Sequence, residues 1–319
     1  MALTLTELQA ITDYYVDSTD NDIYFKSNVL LFKLLGMGKT IPGGQKVKAI
    51  LEYGKSNSGS YGASTKLPLS KKSIYNAAFF PWAAYYGQAT VDLDDERENS
   101  GDLAVVNMTE GKLKNAQKSI RQDMGSQIYL ARSANVDVDG NETGFAGLAD
   151  IFNTTKSTAY GEVTENDMDK WAAKAITTER PISYTVMQAI NRKATIDDNA
   201  EGEPNLFITT DVIKDGYAST LQVQARYADV KLADSGFKNI LFEGVPIVKD
   251  NKQADGTLDA INTRYLDILT HKDYNFTKPT WSSPIDQPDT KVAFVRWSGQ
   301  LVCKHRSAHC RHTNLTAPA

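Results

Sequence analysis

The sequence predicts an α+β protein in which a long β-hairpin and a long helix come before a compact domain of mixed helices and strands. Three observations support this class. Residues 46–53 and 73–93 are strand-like and enclose a tip rich in Gly, Ser and Lys. Residues 101–131 repeat apolar side chains mostly every three or four positions, as a helix with one buried face does. After Thr164, short helical and strand-like segments alternate.

Composition excludes several classes of protein. The chain has 319 residues, 41% of them apolar, which is enough to fill one large core or two smaller ones. Its 35 basic and 39 acidic residues give a net charge of −4, which argues against a surface dominated by nucleic-acid binding but allows a local basic face. Two cysteines are too few for a disulfide framework. With no leader-like N-terminus and no run of eighteen apolar residues, we expect a soluble protein made in a reducing cytosol and no membrane partner.

Residues 1–45 are predicted to form an arm with a short helix over 3–16. The run Gly-Met-Gly-Lys-Thr at 36–40 is similar to a phosphate-binding loop, but Lys33 stands where that motif needs a glycine. Pro42 then predicts a turn instead of the helix that must open after such a loop. An ordinary linker is therefore favoured over a nucleotide site.

The hairpin is predicted over 46–93, with a tip at 54–72 that holds five serines, four lysines and three glycines. A two-stranded hairpin is only marginally stable by itself in water, so one this long and aromatic needs a partner surface. We expect a neighbouring subunit to supply that surface. The alternative is packing against the hairpin's own domain.

Five carboxylates precede the long helix and allow two interpretations. They could form a metal or acid/base site, but negative charge at a helix start complements the exposed N–H groups and the helix dipole. Capping and solvation are therefore favoured. The apolar stripe of the helix over 101–131 should face the subunit's own sheet. The carboxylates are Asp92, Asp94, Asp95, Glu96 and Glu98.

The second half of the chain is predicted to alternate helices and strands. Residues 135–140 resemble the start of a calcium loop, but Ala146 stands where the bidentate glutamate would be, so a plain Asp-Gly turn is favoured. The domain has no glycine fingerprint for a cofactor. The predicted helices are 168–176, 182–194 and 211–227, and the predicted strands are 206–210, 240–248, 264–269 and a final strand at 292–297.

The C-terminus concentrates residue types that bind metals. Thiolate and imidazole are good zinc ligands, yet structural zinc sites pair two ligand hairpins and this chain offers one group. Because Arg306 and Arg311 lie among the histidines, the segment is predicted to be an exposed basic tail, and metal binding stays a weak alternative. Ser298 lacks the first glycine of a nucleophile elbow, so no catalytic residue and no cofactor are predicted. The weak metal candidates are Cys303, His305, His309, Cys310 and His312.

Three runs carry a resemblance to a known family: Ile-Pro-Gly-Gly at 41–44 with the strand 47–53, Gly-Val-Pro-Ile-Val at 244–248, and above all 286–303. The last run begins Asp-Gln-Pro-Asp and continues through Val-Ala-Phe-Val-Arg-Trp-Ser-Gly-Gln-Leu-Val-Cys. With the order of elements, these runs resemble the major capsid protein of tailed bacteriophages, which has the Hong Kong 97 fold. The resemblance implies an N-terminal arm (1–45), an extended loop (46–93), a peripheral domain with a long spine helix (94–163), an axial α+β domain (164–284), and a return strand with the C-terminal tail (285–319).

The resemblance also implies a function. The chain would be a structural, non-enzymatic subunit of the virion that self-assembles into an icosahedral head around double-stranded DNA. Its partners would be further copies as pentamers and hexamers, a portal, a decoration protein in some heads, and a separate scaffolding protein, because Met1 leads almost directly into the arm. DNA contact would be sequence-independent, through Lys112, Lys114, Lys118 and Arg121. The expected inter-subunit residues are Tyr53, Tyr61, Lys66, Lys71, Lys72, Tyr75 and Trp82.

Two other functions stay open on the sequence. A cellular nanocompartment shell of the encapsulin type would use the same fold to enclose cargo enzymes in place of a genome. Less favoured is a metal-binding enzyme that uses the C-terminal cysteines and histidines. A shell subunit needs repeated interfaces more than a pocket, and the arm, hairpin and rigid helix would supply them.

Overall fold

The computed structural model describes residues 28–92, 108–196, 201–221, 239–277, 281–284, 286 and 289–318. The helix expected over 3–16, four of the five helix-start carboxylates (Asp94, Asp95, Glu96 and Glu98) and residues 222–227 of the helix expected over 211–227 lie outside this part of the chain. The strands are β1 (Lys39–Ile41), β2 (Val47–Glu52), β3 (Tyr75–Phe80), β4 (Ala83–Asp92), β5 (Ala175–Ile176), β6 (Arg180–Pro181), β7 (Leu206–Thr209), β8 (Asn239–Phe242), β9 (Val245–Lys249), β10 (Leu258–Ile261), β11 (Leu266–His271), β12 (Thr290–Cys303), β13 (Cys310–His312) and β14 (Leu315–Thr316). The α-helices are α1 (Val29–Gly36), α2 (Met108–Gln127), α3 (Leu148–Ile151), α4 (Tyr184–Ala194) and α5 (Asp211–Thr220).

A four-stranded sheet in the order β1–β11–β12–β4 carries the first core. Its longest strand, β12, pairs antiparallel with β4 from Gly299 opposite Ala83 to Thr290 opposite Asp92, and with β11 on its other edge. The predicted final strand is confirmed, but it extends beyond 292–297 at both ends. From Gly299 onward every residue of β12 is buried, so the alternation that marks a strand in sequence disappears there.

The predicted hairpin is confirmed for its first arm and wrong for half of its second. Strand β2 pairs antiparallel with β3, from Val47 opposite Phe80 to Glu52 opposite Tyr75. Pro81 then follows, and because proline has no N–H to give to a ladder, the pairing with β2 ends there. Strand β4 continues in the four-stranded sheet instead. The predicted segment 46–93 is therefore a short hairpin followed by a sheet strand.

Helix α2 lies across the four-stranded sheet. Its buried side chains include Ala116, Ile120 and Met124, followed by Ile128 just beyond its end, which confirms the predicted apolar stripe. The helix contacts β4 closely, since a Cβ added at Gly87 would lie 2.5 Å from the carbonyl oxygen of Ala116. The described helix ends at Gln127 and not at the predicted residue 131.

A six-stranded sheet in the order β5–β13–β10–β7–β9–β8 carries the second core, with α4 and α5 packed on it. The predicted helix 182–194 is confirmed as α4, which begins where the Ser183 side chain accepts a hydrogen bond from the Val186 N–H. The predicted strand 206–210 is confirmed as β7. Strand β10 was not predicted; all four of its residues are buried, including Asp259, so no alternation marks it.

Two predictions in this half were wrong, and a third was confirmed with its bounds shifted by two residues. The helix expected over 168–176 is a 3₁₀ turn at Asp169–Trp171 followed by β5. Trp171 is buried and donates from Nε1 to the Tyr160 carbonyl at 3.1 Å, so tertiary contact overrides helix propensity here. The single strand expected over 240–248 is the hairpin β8–β9, which turns at Glu243 and Gly244 with φ of 49° and 83°. The strand expected over 264–269 begins at Leu266 and ends at His271.

The chain crosses between the two sheets twice near its end. Strand β11 follows β10 directly but belongs to the four-stranded sheet, and β13 follows β12 but belongs to the six-stranded sheet. The expected segments 164–284 and 285–319 therefore do not correspond to the two sheets. The first segment contributes β11 to the four-stranded sheet, and the second contributes β13 to the six-stranded sheet. The C-terminal residues join the two cores instead of trailing from one of them.

Candidate assembly surfaces and the buried C-terminal segment

One face of the β2–β3 hairpin belongs to the subunit's own core. Along β2, Val47, Ala49 and Leu51 are buried while the residues between them are exposed. Phe80 packs edge-on against Tyr160, with ring centroids 5.0 Å apart. The backbone N–H of Phe79 donates to the carbonyl of residue 161 at 2.9 Å. The root of the hairpin is therefore fixed, and the alternative of packing on its own domain holds for this face.

The opposite face of the hairpin and its tip are exposed. Ile50 and Tyr75 stand out of β2 and β3 on this outer face, and Lys48 lies 5.9 Å from the ring centroid of Phe79. Beyond them, Leu69 is 97% exposed. Hydrogen bonds of residues 54–73 in the described structure remain within the hairpin, for example from the Asn57 amide to the Ser70 carbonyl at 2.9 Å. Within the described part of the subunit, these apolar side chains are left uncovered.

The expected inter-subunit residues fall into two groups. Tyr61, Lys66, Lys71, Lys72 and Tyr75 are exposed on the tip or on β3. Tyr53 and Trp82 are half-buried at the root of the hairpin. Trp82 donates from Nε1 to the Gly44 carbonyl at 2.8 Å and meets the His271 ring edge-on at 5.2 Å. These two aromatics therefore hold the hairpin to its own subunit.

The four expected genome-facing residues of α2 are not equally accessible. Lys114 is exposed, whereas Lys112, Lys118 and Arg121 are half-buried. The Lys112 ammonium donates to the carbonyl of Thr90 at 3.0 Å, and the Arg121 guanidinium lies 5.1 Å from the ring centroid of Phe276. Part of the basic face is thus already used within the subunit.

The prediction of an exposed basic C-terminal tail was wrong. Arg306 is 2% exposed, and its guanidinium donates to four backbone carbonyls, at 2.7 to 3.2 Å. It also lies 5.3 Å from the ring centroid of Tyr160. Sequence alone could not show this, because the acceptors lie more than 130 residues away in the chain. They are the carbonyls of Asp150, Ile151, Asn153 and Trp171.

The five weak metal candidates do not form a site. Cys303 ends β12 in one sheet and Cys310 begins β13 in the other. Burial raises the pKa of Cys303 to about 12 and that of Cys310 to about 11, so both remain thiols. His309 accepts a hydrogen bond at Nδ1 from the Asn262 N–H at 3.1 Å, and burial lowers its pKa to about 3. In the described part of the chain, no three His, Cys, Asp or Glu side chains come together as metal ligands do.

Other buried polar contacts escaped sequence analysis. Arg311 donates to both carboxylate oxygens of Asp259, which also accepts from the Gln253 amide at 2.7 Å. Tyr129, just beyond α2, donates to the Asp250 carboxylate at 2.7 Å. Each pair lies too far apart in sequence for any spacing rule to detect. Together they connect the end of α2 to the six-stranded sheet and join β13 to β10 within that sheet.

Comparison with known proteins identifies the fold. No protein-family model matches the chain, and no curated protein matches it. Solved structures do. The capsid of cyanophage A-1(L) is 16% identical, with a TM-score of 0.70 over 94% of this chain and 96% of that one. The chain has the Hong Kong 97 capsid fold.

Two further structures share the Hong Kong 97 capsid fold with this chain at lower similarity. The capsid protein of a native GTA particle is 10% identical, with a TM-score of 0.61 over 92% of this chain and 91% of that one. The SrpI encapsulin of Synechococcus elongatus PCC 7942 is also 10% identical, with a TM-score of 0.58 over 100% and 98% of the two chains. All three matches run nearly the full length, so the fold is shared as a whole.

Ser298, considered above as a nucleophile, donates from Oγ to the Ala83 carbonyl at 3.1 Å. None of the helices in the described ranges is long and apolar enough to cross a membrane. Among the described residues, the tip and outer face of the hairpin expose several apolar side chains, including Leu69, Tyr61 and Ile50.

Proposed function

We propose that this chain is a major capsid protein that self-assembles into an icosahedral bacteriophage head around double-stranded DNA, and that it resides in the virion. The full-length match to the cyanophage capsid supports the proposal. The observation that carries it is the hairpin: one face is part of the core, while the tip and outer face expose large apolar side chains. Exposed apolar surface of this kind marks a site that a neighbouring molecule covers.

The proposal assigns roles to the segments of the chain. Residues 46–93 contain the extended loop that lies over a neighbour, α2 is the spine of the peripheral domain, and the six-stranded sheet with α4 and α5 forms the axial domain at five-fold and six-fold vertices. Copies associate as pentamers and hexamers. The exposed tip residues, among them Tyr61, Lys66, Lys71 and Lys72, contact the neighbour directly, whereas Tyr53 and Trp82 hold the loop at its root.

Further partners follow from the same proposal. A closed head that packages DNA needs a portal, and in this proposal it also uses a scaffolding protein and can bind a decoration protein. Contact with DNA is electrostatic and independent of sequence, so it weakens as salt concentration rises. The candidates for this contact are Lys112, Lys114, Lys118 and Arg121, of which Lys114 is the most exposed.

Electron microscopy of the expressed chain, with and without its scaffold, tests the proposal. We expect closed shells from the parent chain. Deletion of residues 54–72 should leave a folded subunit, because this tip makes no described hydrogen bond outside the hairpin, yet closed shells should be lost. A matched control replaces the same residues by a Gly/Ser linker of equal length, which separates the length of the tip from its side chains. Normal shells from the deletion variant would contradict the role of the hairpin.

The alternative function is a nanocompartment shell, and the similarity to the SrpI encapsulin supports it. The content of native particles distinguishes the two functions. Double-stranded DNA inside supports the phage head, whereas protein cargo without DNA supports the nanocompartment. A monomer or small oligomer, even with scaffold present, would count against both.

A further inference from the structure

Residues 130–144 form a preorganised loop, here called the acidic knob. Its two sides join in a bridge between Val136 and Glu142. The Asp137 carboxylate accepts hydrogen bonds from the backbone N–H groups of Asp139 at 2.9 Å and Asn141 at 2.8 Å. Such a loop loses little conformational freedom when a partner binds it.

The base of the acidic knob is fixed to the core. The buried Asn135 side chain donates to the carbonyls of Gln127 at 3.1 Å and Phe145 at 2.9 Å. Arg132 donates to the Gly144 carbonyl at 2.9 Å and lies 3.7 Å from the Glu142 carboxylate. The tip of the knob is therefore presented in one position relative to the end of α2.

The outer surface of the acidic knob is apolar and negatively charged. Val138, at its tip, is 90% exposed, and Leu130 and Val136 are also exposed. The knob contains three acids and one base, Arg132. A rigid loop that holds the valine side chain out in water gains the free energy of its burial only when another molecule covers it.

The hairpin tip of the same chain has the complementary character. Between Glu52 and Asp92 the sequence contains no acidic residue, whereas the tip has four lysines. Tyr61 is 71% exposed, and Leu67 and Leu69 stand beside the lysines. In a single copy, the tip's described hydrogen bonds stay within the hairpin. Its positive charge and its apolar side chains are both available to a second copy.

Two other exposed acids are less suited to receive the tip because a lysine or an arginine of their own subunit already pairs with them. Asp211 pairs with Lys249 at 3.0 Å, and Glu201 pairs with Arg264 at 3.0 Å. Asp139 of the knob has no ion pair among the described contacts, and it directly follows Val138. At Val138 and Asp139, exposed apolar surface lies beside a charge opposite to that of the hairpin tip. The two features together select a partner more specifically than either does alone.

We propose that the hairpin tip of one copy docks on the acidic knob of an adjacent copy, with the tip lysines facing the knob's carboxylates and Leu67 and Leu69 covering Val138. This inference rests on the proposed function, since it names the surface that receives the hairpin during self-assembly. The contact is heterologous because the hairpin tip and the acidic knob are different patches. Each copy places its tip on one neighbour and receives the tip of another neighbour on its knob.

Cross-linking tests the docking in assembled particles. The variant Leu69→Cys/Val138→Cys places one thiol on each patch, and the native Cys303 and Cys310 are buried. A short bismaleimide added to shells should give a ladder of covalent multimers with this pair and none with either single variant. The control pair Leu69→Cys/Val212→Cys keeps the tip thiol but moves its partner to α5, where Val212 is 63% exposed, and should give no ladder.

Charge reversal provides an independent readout if the cysteine pair does not assemble. Lys71→Glu/Lys72→Glu should lower shell yield several-fold, and adding Asp139→Lys/Glu142→Lys should restore most of it. Adding Asp215→Lys/Asp255→Lys, two exposed acids elsewhere, should not. Shells without a ladder, or equal rescue by the control pair, would overturn the docking and leave the proposed function standing. A parent chain that forms no shells would overturn the proposed function itself.

Discussion

The guanidinium of Arg311 donates to both carboxylate oxygens of Asp259, at 2.7 and 2.8 Å, and also lies 4.6 Å from the ring centroid of Phe152. Asp259 is completely buried. The pair joins β13, near the C-terminus, to β10 in the middle of the six-stranded sheet. A contact of this kind makes the last residues of the chain part of the fold.

Removing one partner of this pair should leave a buried charge without compensation. We expect Arg311→Met to lower the free energy of unfolding of the purified subunit by about 3–5 kcal/mol. The double variant Arg311→Met/Asp259→Asn should lose less than the sum of the two single changes, because neither charge remains. Urea denaturation measures both. Lys249→Met, in an exposed pair with Asp211, is the control and should cost less than about 1 kcal/mol. Equal losses in the two pairs would contradict the argument.

Arg306 should not tolerate replacement by lysine. Its planar guanidinium reaches four carbonyls at once, and an ammonium has only three donors and no fork geometry. At least one buried carbonyl then stays unsatisfied, so Arg306→Lys should cost about 2–4 kcal/mol. Thermal unfolding of the subunit checks this, with the exposed Arg264→Lys as a control that should stay within about 0.5 kcal/mol. A neutral Arg306→Lys would show that the guanidinium geometry is unimportant.

Two glycines of α2 should respond in opposite directions to alanine. A Cβ at Gly111 meets no atom within 4 Å, so Gly111→Ala should stabilise the subunit by about 0.5–1 kcal/mol through helix propensity. A Cβ at Gly125 would lie 2.4 Å from Nδ2 of Asn28, which donates to the Gly125 carbonyl at 2.7 Å. Asn28 cannot withdraw freely, because its Oδ1 accepts from the Leu31 N–H at the start of α1.

Gly125→Ala should therefore lower the melting temperature, and Asn28→Ala/Gly125→Ala should recover part of the loss by removing the clash. Differential scanning calorimetry of the three variants beside the parent chain gives the comparison. If both glycine variants raised the melting temperature, the close contact between α1 and α2 would not be a constraint in solution.

Asp250 should make stability depend on pH. It is 1% exposed, and burial raises its pKa to about 6 although Tyr129 and the Lys252 N–H donate to its carboxylate. Because the folded pKa exceeds the unfolded value of about 3.9, the folded state holds the proton more tightly. The contribution of Asp250 is therefore complete below about pH 4 and is lost as pH rises through about 6.

Asp250→Asn should remove this dependence. Relative to the parent chain, the variant should gain on the order of 2 kcal/mol in unfolding free energy between about pH 4 and pH 7. Urea titrations of both chains at several pH values measure this difference. The comparison with the parent chain is needed because burial lowers the pKa of His309, which makes stability rise with pH in both chains. A difference that does not change with pH would show that the Asp250 pKa is not raised.

The elements that bury one face could be predicted from the spacing of apolar residues. Alternation over Val47–Glu52 and the spacing of Ala116, Ile120 and Met124 each report a single buried side, and both predictions were confirmed. Where a segment is buried on every side, as in β10 and the end of β12, the period vanishes and the prediction failed or stopped short.

The burial of the polar residues near the C-terminus depends on contacts that form only in the folded chain. The segment holding Arg306, His309 and Arg311 has the composition of an exposed tail, and it is buried because distant carbonyls and the Asp259 carboxylate satisfy it. The physical reason is that burying a charge is favourable only with partners in place. Local sequence specifies which faces are apolar, whereas the partners of a buried polar group come from parts of the chain that meet only when it folds.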